Sequence, residues 1–548
     1  MYYGSINGIL ERDPNERIHG AWVATNEFYK ALLTYGSFEG YHLFVKDSSV
    51  HDVESNLGEL YSHLRNYDKL KIVGLSRLNE YVSKYDYAVF HQSDPTPLYF
   101  LKMREYFWDK NVPVSCFVHN ASSPGTFALL RSYLYADNYP FDTIICATSS
   151  LKICIERIFQ YSREEARSSA KFEGKIEVIP FGIDVERFVP RTKSEIREEL
   201  GFHRDDFLIG YIGRITSRTK MDLLPLIRIF ALLLDQVKST QLRLYIIGKD
   251  QEDGYINLLR RKAILMGIAD KVRFVTDHSN SDMHKYFSAL DIFVSPCDHI
   301  GETFGITPIE AMSCGVPVVV SDWNGYKETI RNGYNGFKIP TYWHEACDFH
   351  DISYELDDFT RKYSIFSQTV AVDIPSFVKT LRRLFDEEEL RTKISANGRE
   401  WILNNYSWEK IIGKYERLWR QKYEESSSYS MRKKKERKRV LYDTFSHYST
   451  RALSEQDFVV STKHVVIKEA SEIYVIVPKA MKGLIFPKDV TMVRELAATP
   501  ISIHNAYAET LLKSPRLTRE NFMIIILWMI KHGYLELVTP TTESTDQN

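Results

Sequence analysis

Short apolar runs alternate with amphipathic stretches twice along this chain, and this pattern constrains its fold more than any other feature of the sequence. In the first series, residues 87–90, 112–118 and 143–147 are apolar, whereas residues 21–33 and 149–160 have helical spacing. Continuous apolar runs are expected of parallel strands that helices cover on both faces. The first series therefore predicts a doubly wound parallel sheet.

The same alternation then begins again. Residues 207–213, 242–248, 272–275, 292–295 and 316–320 predict further strands, with periodic stretches between them. Residues 178–184 precede this second series and contain the turn-forming residues Pro180 and Gly182, so we expect a hinge there. Because ligands of such sheets bind beyond the carboxyl ends of the strands, we expect an α/β protein with two Rossmann-like domains facing each other across a cleft.

The composition is typical of a soluble globular protein, and it excludes some functions. The 548 residues predict several domains, 44% of them are hydrophobic, 26% are charged, and the net charge of −1 favours neither nucleic acid nor an anionic membrane. We expect no secretion signal and no membrane span, because no apolar run approaches the ~20 residues that a span requires. The six cysteines lack the spacing of a zinc site or a disulfide framework, so we expect reduced, buried thiols in a cytoplasmic protein.

The most informative local segment is residues 301–312, between two predicted strands. It places Glu302 on a glycine-containing loop and Glu310 in the first turn or so of a helix predicted at residues 308–314. A helix N-terminus presents unpaired N–H groups and partial positive charge, which suit a phosphate. One carboxylate could accept hydrogen bonds from sugar hydroxyls and the other from a ribose, so this layout fits a sugar joined to a nucleotide through a diphosphate.

Two cations follow the first strand of the second series. Arg214 comes directly after Gly213, and Lys220 lies six residues further on. Such a pair could clamp a diphosphate leaving group, although basic residues in loops are more often simply solvated. Together with Glu302 and Glu310 in the same predicted domain, the functional interpretation is favoured.

Two residues of the first domain are weaker candidates. His119 ends the strand predicted at residues 112–118, where a side chain would face the cleft, but a histidine at a strand end is also explained by ordinary hydrogen bonding. Gly20 precedes a predicted helix and would permit close approach of a ligand to the backbone, although it could equally be an ordinary glycine at a helix start. Neither a Walker loop nor a dinucleotide-binding glycine motif is present, which disfavours an ATPase or a nicotinamide enzyme, and no residue spacing indicates a metal site.

The last part of the chain changes character. Residues ~341–370 show no clear period and are expected to form an irregular insertion. Residues 432–439 are a dense basic run, after which residues 465–468 and 472–477 predict a hairpin. Residues 489–497, 503–512 and 518–532 predict three helices, residues 533–538 a closing strand, and residues 539–548 a disordered tail. This order is compatible with a small α+β module of the winged-helix type. The basic run raises the alternatives of nucleic-acid binding, contact with anionic lipid or a merely solvated segment, and the last is favoured.

Taken together, these segments resemble retaining glycosyltransferase family 4, the glycosyl transferases group 1, which have the GT-B fold. The likeness is carried by four segments, which are residues 178–188, Gly213-Arg214 with Lys220, residues 289–296 leading into the two glutamates with seven residues between them, and residues 316–319 with Gly325 and residues 333–336. The resemblance implies transfer of a sugar from a nucleotide donor, UDP- or GDP-linked, with retention of the α configuration and without a metal or other cofactor. The sequence departs from the family pattern near Gly20, because the family often has two glycines there and this chain has His19 before a single glycine.

The resemblance also implies roles for individual residues. Arg214 and Lys220 would bind the diphosphate, Glu302 the sugar hydroxyls and Glu310 the ribose. Backbone N–H groups of Phe304, Gly305, Ile306 and Thr307 would line the donor, while Gly20 and His119 would reach it from the other domain. His119, Glu302, Arg214 and Lys220 are the residues expected to take part in catalysis.

The expected organisation has five parts. Residues 1–185 would form the acceptor-side domain, 186–395 the donor-side domain, 396–428 helices that pack back on the first domain, 429–440 a basic linker, and 441–540 the winged-helix-like module. The acceptor could be a glycan, a lipid-linked sugar or a protein, with peripheral contact at the inner membrane face and a homodimer as further alternatives. The competing hypothesis is a non-enzymatic scaffold or interaction protein that acts through its C-terminal module.

Overall fold

The computed structural model describes residues 1–6, 20–96, 98–252, 254–344, 367–432, 440–462, 473, 476–478, 481, 484–515 and 517–538. The chain divides into two compact units, the first made of residues 1–45 and 52–434 and the second of residues 46–51 and 435–548. No helix within the described ranges is long and apolar enough to cross a membrane.

A seven-stranded parallel sheet forms the first half of the first unit, with strand order β3-β2-β1-β4-β5-β6-β7. The strands are β1 (Tyr2–Ile6), β2 (Gly40–Val45), β3 (Leu70–Gly74), β4 (Tyr87–Gln92), β5 (Val114–Val118), β6 (Thr143–Cys146) and β7 (Lys175–Val178). The helices are α1 (Gly20–Tyr35), α2 (Val50–Tyr61), α3 (Leu78–Lys84), α4 (Leu98–Tyr106), α5 (Pro124–Tyr133) and α6 (Ser149–Glu165). Every residue of β2, β4, β5 and β6 is buried, which agrees with their mainly apolar composition.

A six-stranded parallel sheet forms the second half, with strand order β10-β9-β8-β11-β12-β13. The strands are β8 (Phe207–Ile212), β9 (Leu242–Ile247), β10 (Val272–Val275), β11 (Ile292–Ser295), β12 (Val318–Ser321) and β13 (Phe337–Ile339). The helices are α7 (Lys193–Glu199), α8 (Leu224–Val237), α9 (Tyr255–Leu265), α10 (Met283–Ala289), α11 (Ile306–Ser313) and α12 (Tyr326–Thr329). The order of strands reverses between β8 and β11, and it reverses in the first sheet between β1 and β4. The predicted pair of doubly wound parallel sheets is confirmed.

The chain then returns to the first sheet. Strands β14 (Thr341–Tyr342) and β15 (Ala371–Val372) pair antiparallel, and α13 (Ile374–Asp386), α14 (Glu388–Asn405) and α15 (Trp408–Ser426) follow. Helix α15 packs against α1 and β4, and the indole Nε1 of Trp419 donates to Ser115 Oγ at 3.1 Å. Residues 345–366 of the expected insertion, and residues 433–439 of the basic run, lie outside the described residues.

The second unit contains α16 (Val440–Phe445), β16 (Phe458–Ser461), α17 (Pro487–Leu496), β17 (Ile501–Ser502), α18 (Ile503–Lys513), α19 (Arg519–Lys531) and β18 (Leu535–Val538). The three strands form an antiparallel sheet in the order β17-β16-β18. Val459, Val493, Ile503, Ile525 and Met529 are completely buried in its core. The three predicted helices and the closing strand are therefore present, and the winged-helix assignment stays a prediction.

The predicted hairpin at residues 465–468 and 472–477 is wrong where the structure describes it. Ile473 and Ile476 are helical, and the backbone N–H of Val477 donates to the carbonyl of Ile473 at 3.1 Å. Ile473 and Val477 are both buried in the core of the second unit, and a helical turn places residues four apart on one face. Residues 463–472, 474–475 and 539–548, which include the rest of the hairpin and the predicted tail, lie outside the described residues.

The prediction of buried cysteines needs one correction. Cys116, Cys146, Cys297 and Cys314 are buried free thiols, but Cys154 is exposed. Cys154 lies on α6, whose buried face is formed by Leu151, Ile155, Ile158 and Phe159, so its position in the helical turn points it outward. Cys347 lies outside the described residues.

Candidate functional site

A cleft of about 460 Å³ lies within the first unit, at the carboxyl ends of the two parallel sheets. Its volume falls within the range of roughly 300–1,000 Å³ that is usual for small-molecule sites. The second sheet contributes the loops after β8, β9, β10 and β11, and the first sheet contributes His119 and Asn120. The predicted residues Arg214, Lys220, Glu302 and Glu310 all line it, as do residues 304–307.

The loop after β8 carries the two predicted cations. The hydroxyl of Tyr211 donates to the carbonyl of Arg214 at 2.8 Å, and a Cβ on Gly213 would lie 2.8 Å from that hydroxyl. The guanidinium of Arg214 donates to Thr219, through Nη1 to Oγ1 at 3.2 Å and through Nη2 to the carbonyl at 3.1 Å. These contacts fix the loop so that Arg214 and Lys220 both reach the cleft.

Lys220 and Glu302 form an ion pair at the floor of the cleft. The two side chains are 16% and 12% exposed, so the pair is largely shielded from water. Burial acts to raise the pKa of Glu302, but the ammonium of Lys220 and the guanidinium of Arg214 outweigh it and hold the pKa below its ordinary value. Glu302 is therefore an ionised hydrogen-bond acceptor, and Lys220 has further N–H groups for an anion.

Helix α11 begins at the cleft, two residues earlier than predicted. Gly305 precedes it with φ of 88° and no side-chain cap, and a Cβ at this position would lie 2.0 Å from the ring of Tyr326. This left-handed conformation lets the helix start at Ile306 rather than at Pro308. The first N–H groups of α11 have no partner inside the helix, and Ile306 and Thr307 line the cleft.

The earlier start also moves Glu310 from the predicted first turn to the second turn of α11. Its carboxyl still lines the cleft. Burial raises the pKa of Glu310 to about 7, and the nearby guanidinium of Arg187 acts in the opposite direction. Glu310 therefore exchanges a proton near neutral pH, unlike Glu302.

The first sheet contributes a neutral histidine. His119 Nε2 lies 2.8 Å from the carbonyl of Ser93, its ring stacks on Phe181, and burial lowers its pKa to about 4. A carbonyl can only accept, so Nε2 carries the proton. Helix α1 begins at Gly20, and its residues Val23 and Ala24 line the cleft. His19 lies outside the described residues.

Four hydrogen bonds join segments of the second half of the unit to segments of the first half. Thr303 Oγ1 donates to the carbonyl of His119 at 2.6 Å, and the carbonyl of Thr303 accepts from Thr148 Oγ1 at 3.1 Å. The carboxylate of Glu328 accepts from the backbone N–H groups of Ser149 and Ser150, at 2.9 and 3.0 Å, at the start of α6. Thr303 follows Glu302 directly, so the loop that carries Glu302 is held by both halves of the unit.

Sequence reasoning missed several residues of the site. Arg187, Lys249, His278 and Met283 also line the cleft, and the buried His299 accepts a hydrogen bond from the lining residue Gly301. Arg187 belongs to residues 178–188, so its position in that segment was an available signal. No such signal pointed to His299, because the carbonyl of Arg218, against which its Nε2 lies, belongs to a loop that is 81 residues away in sequence.

The second sheet matches a known family. Residues 192–351 match the family described as glycosyl transferases group 1. The D-inositol 3-phosphate glycosyltransferase of Stackebrandtia nassauensis is 33% identical over 182 residues, which are 32% of this chain and 40% of that protein. The protein of the same name from Nocardia farcinica is 29% identical over 205 residues, which are 36% of this chain and 44% of that protein. The chain thus spans less than half the length of these relatives.

Solved structures share the fold over a longer part of the chain. A glycosyltransferase from Rickettsia africae aligns with a TM-score of 0.53 and 15% identity, over 78% of this chain and 99% of that one. Sucrose-phosphate synthase from Thermosynechococcus elongatus aligns with a TM-score of 0.51 and 18% identity, over 77% of this chain and 98% of that one. At these identities the likeness shows the two-sheet fold.

Proposed function

We propose that this chain is a member of the glycosyl transferases group 1 family and that it transfers a sugar from a nucleotide-diphosphate sugar to an acceptor hydroxyl with retention of the α configuration. The observation that best supports this proposal is that one cleft combines the Lys220–Glu302 ion pair, Arg214 and the uncapped start of α11. Two cations and free backbone N–H groups suit a diphosphate, and an ionised carboxylate beside them suits sugar hydroxyls.

The leaving group would be stabilised by fixed charges. Negative charge develops on the diphosphate as its bond to the sugar breaks, and Arg214, Lys220 and the N-terminus of α11 would face that charge. Such groups are held in place before the reaction, so they need little reorganisation. We propose that they perform the charge neutralisation without a metal ion or other cofactor.

The carboxylates would hold the two ends of the donor. Glu302, kept ionised by Lys220 and Arg214, would accept hydrogen bonds from the sugar. Glu310, further along α11, would hold the ribose of UDP or GDP. The residues named for catalysis are Arg214, Lys220, Glu302 and His119, and the acceptor would attack from the face that the leaving diphosphate occupies.

The acceptor side would lie on residues 1–185 and the donor side on residues 186–395. His119 would offer a neutral polar surface toward the sugar, and α1, from Gly20, would close the cleft from the same side. The first unit would be completed by residues 396–428, with residues 429–440 as the linker to a winged-helix-like module at residues 441–540. We propose a cytoplasmic enzyme whose module docks a macromolecular acceptor or forms a homodimer.

The first test is thermal stability of the full chain with UDP, GDP, ADP, CDP and TDP, each in EDTA. A ligand at a hundred times its dissociation constant adds about 2.7 kcal/mol to the free energy of unfolding. We expect one nucleotide to raise the melting temperature, and Lys220→Ala or Glu310→Ala to abolish that rise. Lys110→Ala is a matched control, since Lys110 pairs with Asp86 at the surface and should leave the rise intact.

Activity then follows with the nucleotide so identified. Release of that nucleoside diphosphate from its sugar ester should increase on addition of an acceptor, and the panel should include inositol 3-phosphate, because relatives carry its name. If no nucleotide stabilises the protein, the donor site is wrong and the non-enzymatic scaffold becomes the better hypothesis.

A further inference from the structure

Two loops at the cleft are joined by several side-chain contacts along their length, three of which surround the turn that carries Glu302. One loop follows β8 and carries Lys220, and the other follows β11 and carries Glu302. Besides the Lys220–Glu302 pair, the backbone N–H of Asp222 donates to Asp298 Oδ1 at 3.2 Å. The third contact is made by the ring of His299, which lies 3.1 Å from the carbonyl of Arg218.

Both ring nitrogens of His299 have defined partners. Nδ1 accepts from the backbone N–H of Gly301 at 2.9 Å, and Nε2 lies against the carbonyl of Arg218. Since a peptide N–H only donates and a carbonyl only accepts, the ring is neutral and its proton is on Nε2. The residue is 1% exposed, and burial lowers its pKa to about 4, so this state persists at neutral pH.

The backbone of His299 reinforces the same turn. Its carbonyl accepts from the N–H of Glu302 at 3.1 Å and from Trp323 Nε1 at 3.0 Å. A bond from one residue to the third residue after it closes a β-turn. The side chain therefore holds the turn at Gly301, the main chain holds it at Glu302, and Nε2 ties the whole turn to the lysine-bearing loop.

We propose that His299 is a positioning residue, which fixes the turn of residues 299–302 so that the carboxylate of Glu302 is presented to the sugar while Lys220 stays against it. The proposal rests on the proposed function, because it assigns Glu302 to the sugar. It separates two properties of the cleft. Binding of the diphosphate depends on Arg214 and Lys220, whereas discrimination in favour of the attached sugar depends on the turn.

Three substitutions of His299 separate the effects of the two hydrogen bonds that its ring makes. In His299→Asn the amide oxygen can accept from the N–H two residues on, as in an Asx turn, but the bond to Arg218 is lost. In His299→Gln the longer amide can donate to the carbonyl of Arg218, while the short bond within the turn is lost. His299→Ala removes both, and Trp323→Phe loosens the turn more gently if His299→Ala fails to fold.

The measurement is calorimetric affinity for UDP and for UDP-glucose, with GDP and GDP-mannose in parallel, together with the rate of donor hydrolysis. We expect His299→Ala to lose about tenfold in affinity for the sugar nucleotide, the cost of one buried hydrogen bond, and to lose hydrolysis rate. Affinity for the diphosphate should change less than twofold, and His299→Asn should recover most of the difference. His42→Asn is the control, because His42 is also fully buried, but in β2 away from the cleft.

The outcomes separate the two claims. If the unaltered protein binds neither diphosphates nor sugar nucleotides, the proposed function fails and this inference falls with it. If the unaltered protein prefers the sugar nucleotide and His299→Ala and Trp323→Phe keep that preference, the inference alone is overturned. Equal losses for both ligands would also overturn it, because a merely structural histidine would weaken the whole cleft.

Discussion

The carboxyl edges of the two parallel sheets face one cleft, yet their chemistry differs. The second sheet supplies Arg214, Lys220, Glu302 and Glu310, all ionisable. The first sheet supplies His119, kept neutral by burial, and Asn120. Sheets of the same topology can therefore present different chemistry at their carboxyl edges, charged groups at one and neutral hydrogen-bonding groups at the other.

The difference has an electrostatic cause. On the second sheet the carboxylate of Glu302 is buried beside two cations, which keeps it ionised. On the first sheet His119 is buried against a backbone carbonyl and an aromatic ring, so burial favours its neutral form. Similar burial thus yields opposite charge states, because the neighbours differ.

The largest expected effect comes from breaking the charged edge. Lys220→Met should slow sugar transfer by about 10²–10³-fold, since one preorganised donor to the leaving group is lost. It also leaves Glu302 without its partner, which lowers stability. The double variant Lys220→Met/Glu302→Gln should unfold at a higher temperature than Lys220→Met alone while remaining inactive. If the single and double variants lose equal stability, the ion pair is not coupled as described.

Substitution of Glu310 should cause the second-largest effect, a loss of affinity for the nucleotide. Glu310→Gln should weaken nucleotide binding by about ten- to a hundredfold, because a hydrogen bond to a charged group contributes roughly 1.5–3 kcal/mol. Its pKa near 7 also predicts that nucleotide binding at pH 6.5 releases a proton, as a ribose hydroxyl favours the ionised carboxylate. Calorimetry in buffers of different ionisation enthalpy would measure that proton, and Glu310→Gln should abolish its release.

The carboxyl group of Glu310 should also make the stability of the ligand-free protein depend on pH. The pKa of Glu310 is raised on folding, so its contribution to stability is fully present below its unfolded pKa and is lost as pH rises through about 7. Melting temperatures of the unaltered protein should fall across this window relative to those of Glu310→Gln. Parallel curves would contradict the raised pKa.

Substitution of His119, at the neutral carboxyl edge of the first sheet, should reduce the rate of transfer less. His119→Ala should reduce transfer by about tenfold or less, the worth of one hydrogen bond. Because the pKa of His119 is about 4, its substitution should leave the shape of the rate profile between pH 5.5 and 8 unchanged. A profile that loses a limb near pH 6.5 in His119→Ala would mean that this edge is charged as well, and the comparison would fail.

The smallest effect should come from the contact between the two edges. Glu328→Gln keeps the shape of the side chain at the start of α6 but removes a charge that the helix dipole favours, at a cost of about 0.3–1 kcal/mol. We expect a few-fold rise in KM for the donor and little change in kcat. A strong fall in kcat would show that Glu328 contributes to the chemistry and not only to holding the halves together.

Much of the fold could be predicted because its signals are local. Strands β8, β9, β11 and β12 are apolar over short runs, and the residues that follow them must lie at the edge of a sheet. Strand β1, by contrast, gave a weak signal, because it is only Tyr2–Ile6 and includes Gly4 and Ser5. The wrong hairpin at Ile473 has a related cause, since a short apolar run fits a buried helix as well as a strand.

The sequence by itself determined which side chains the loops after β8 and β11 carry, and hence that cations and carboxylates would meet at one edge. Only the tertiary structure decided which of these side chains are in contact and which are ionised. Lys220 and Glu302 are 82 residues apart in sequence, and their contact requires β8 and β11 to be neighbours in the sheet. Burial and distant neighbours likewise decide the pKa of Glu310, the tautomer of His299 and the left-handed turn at Gly305. The physical reason is that a local sequence pattern specifies secondary structure, whereas the surroundings of a side chain depend on how distant segments pack.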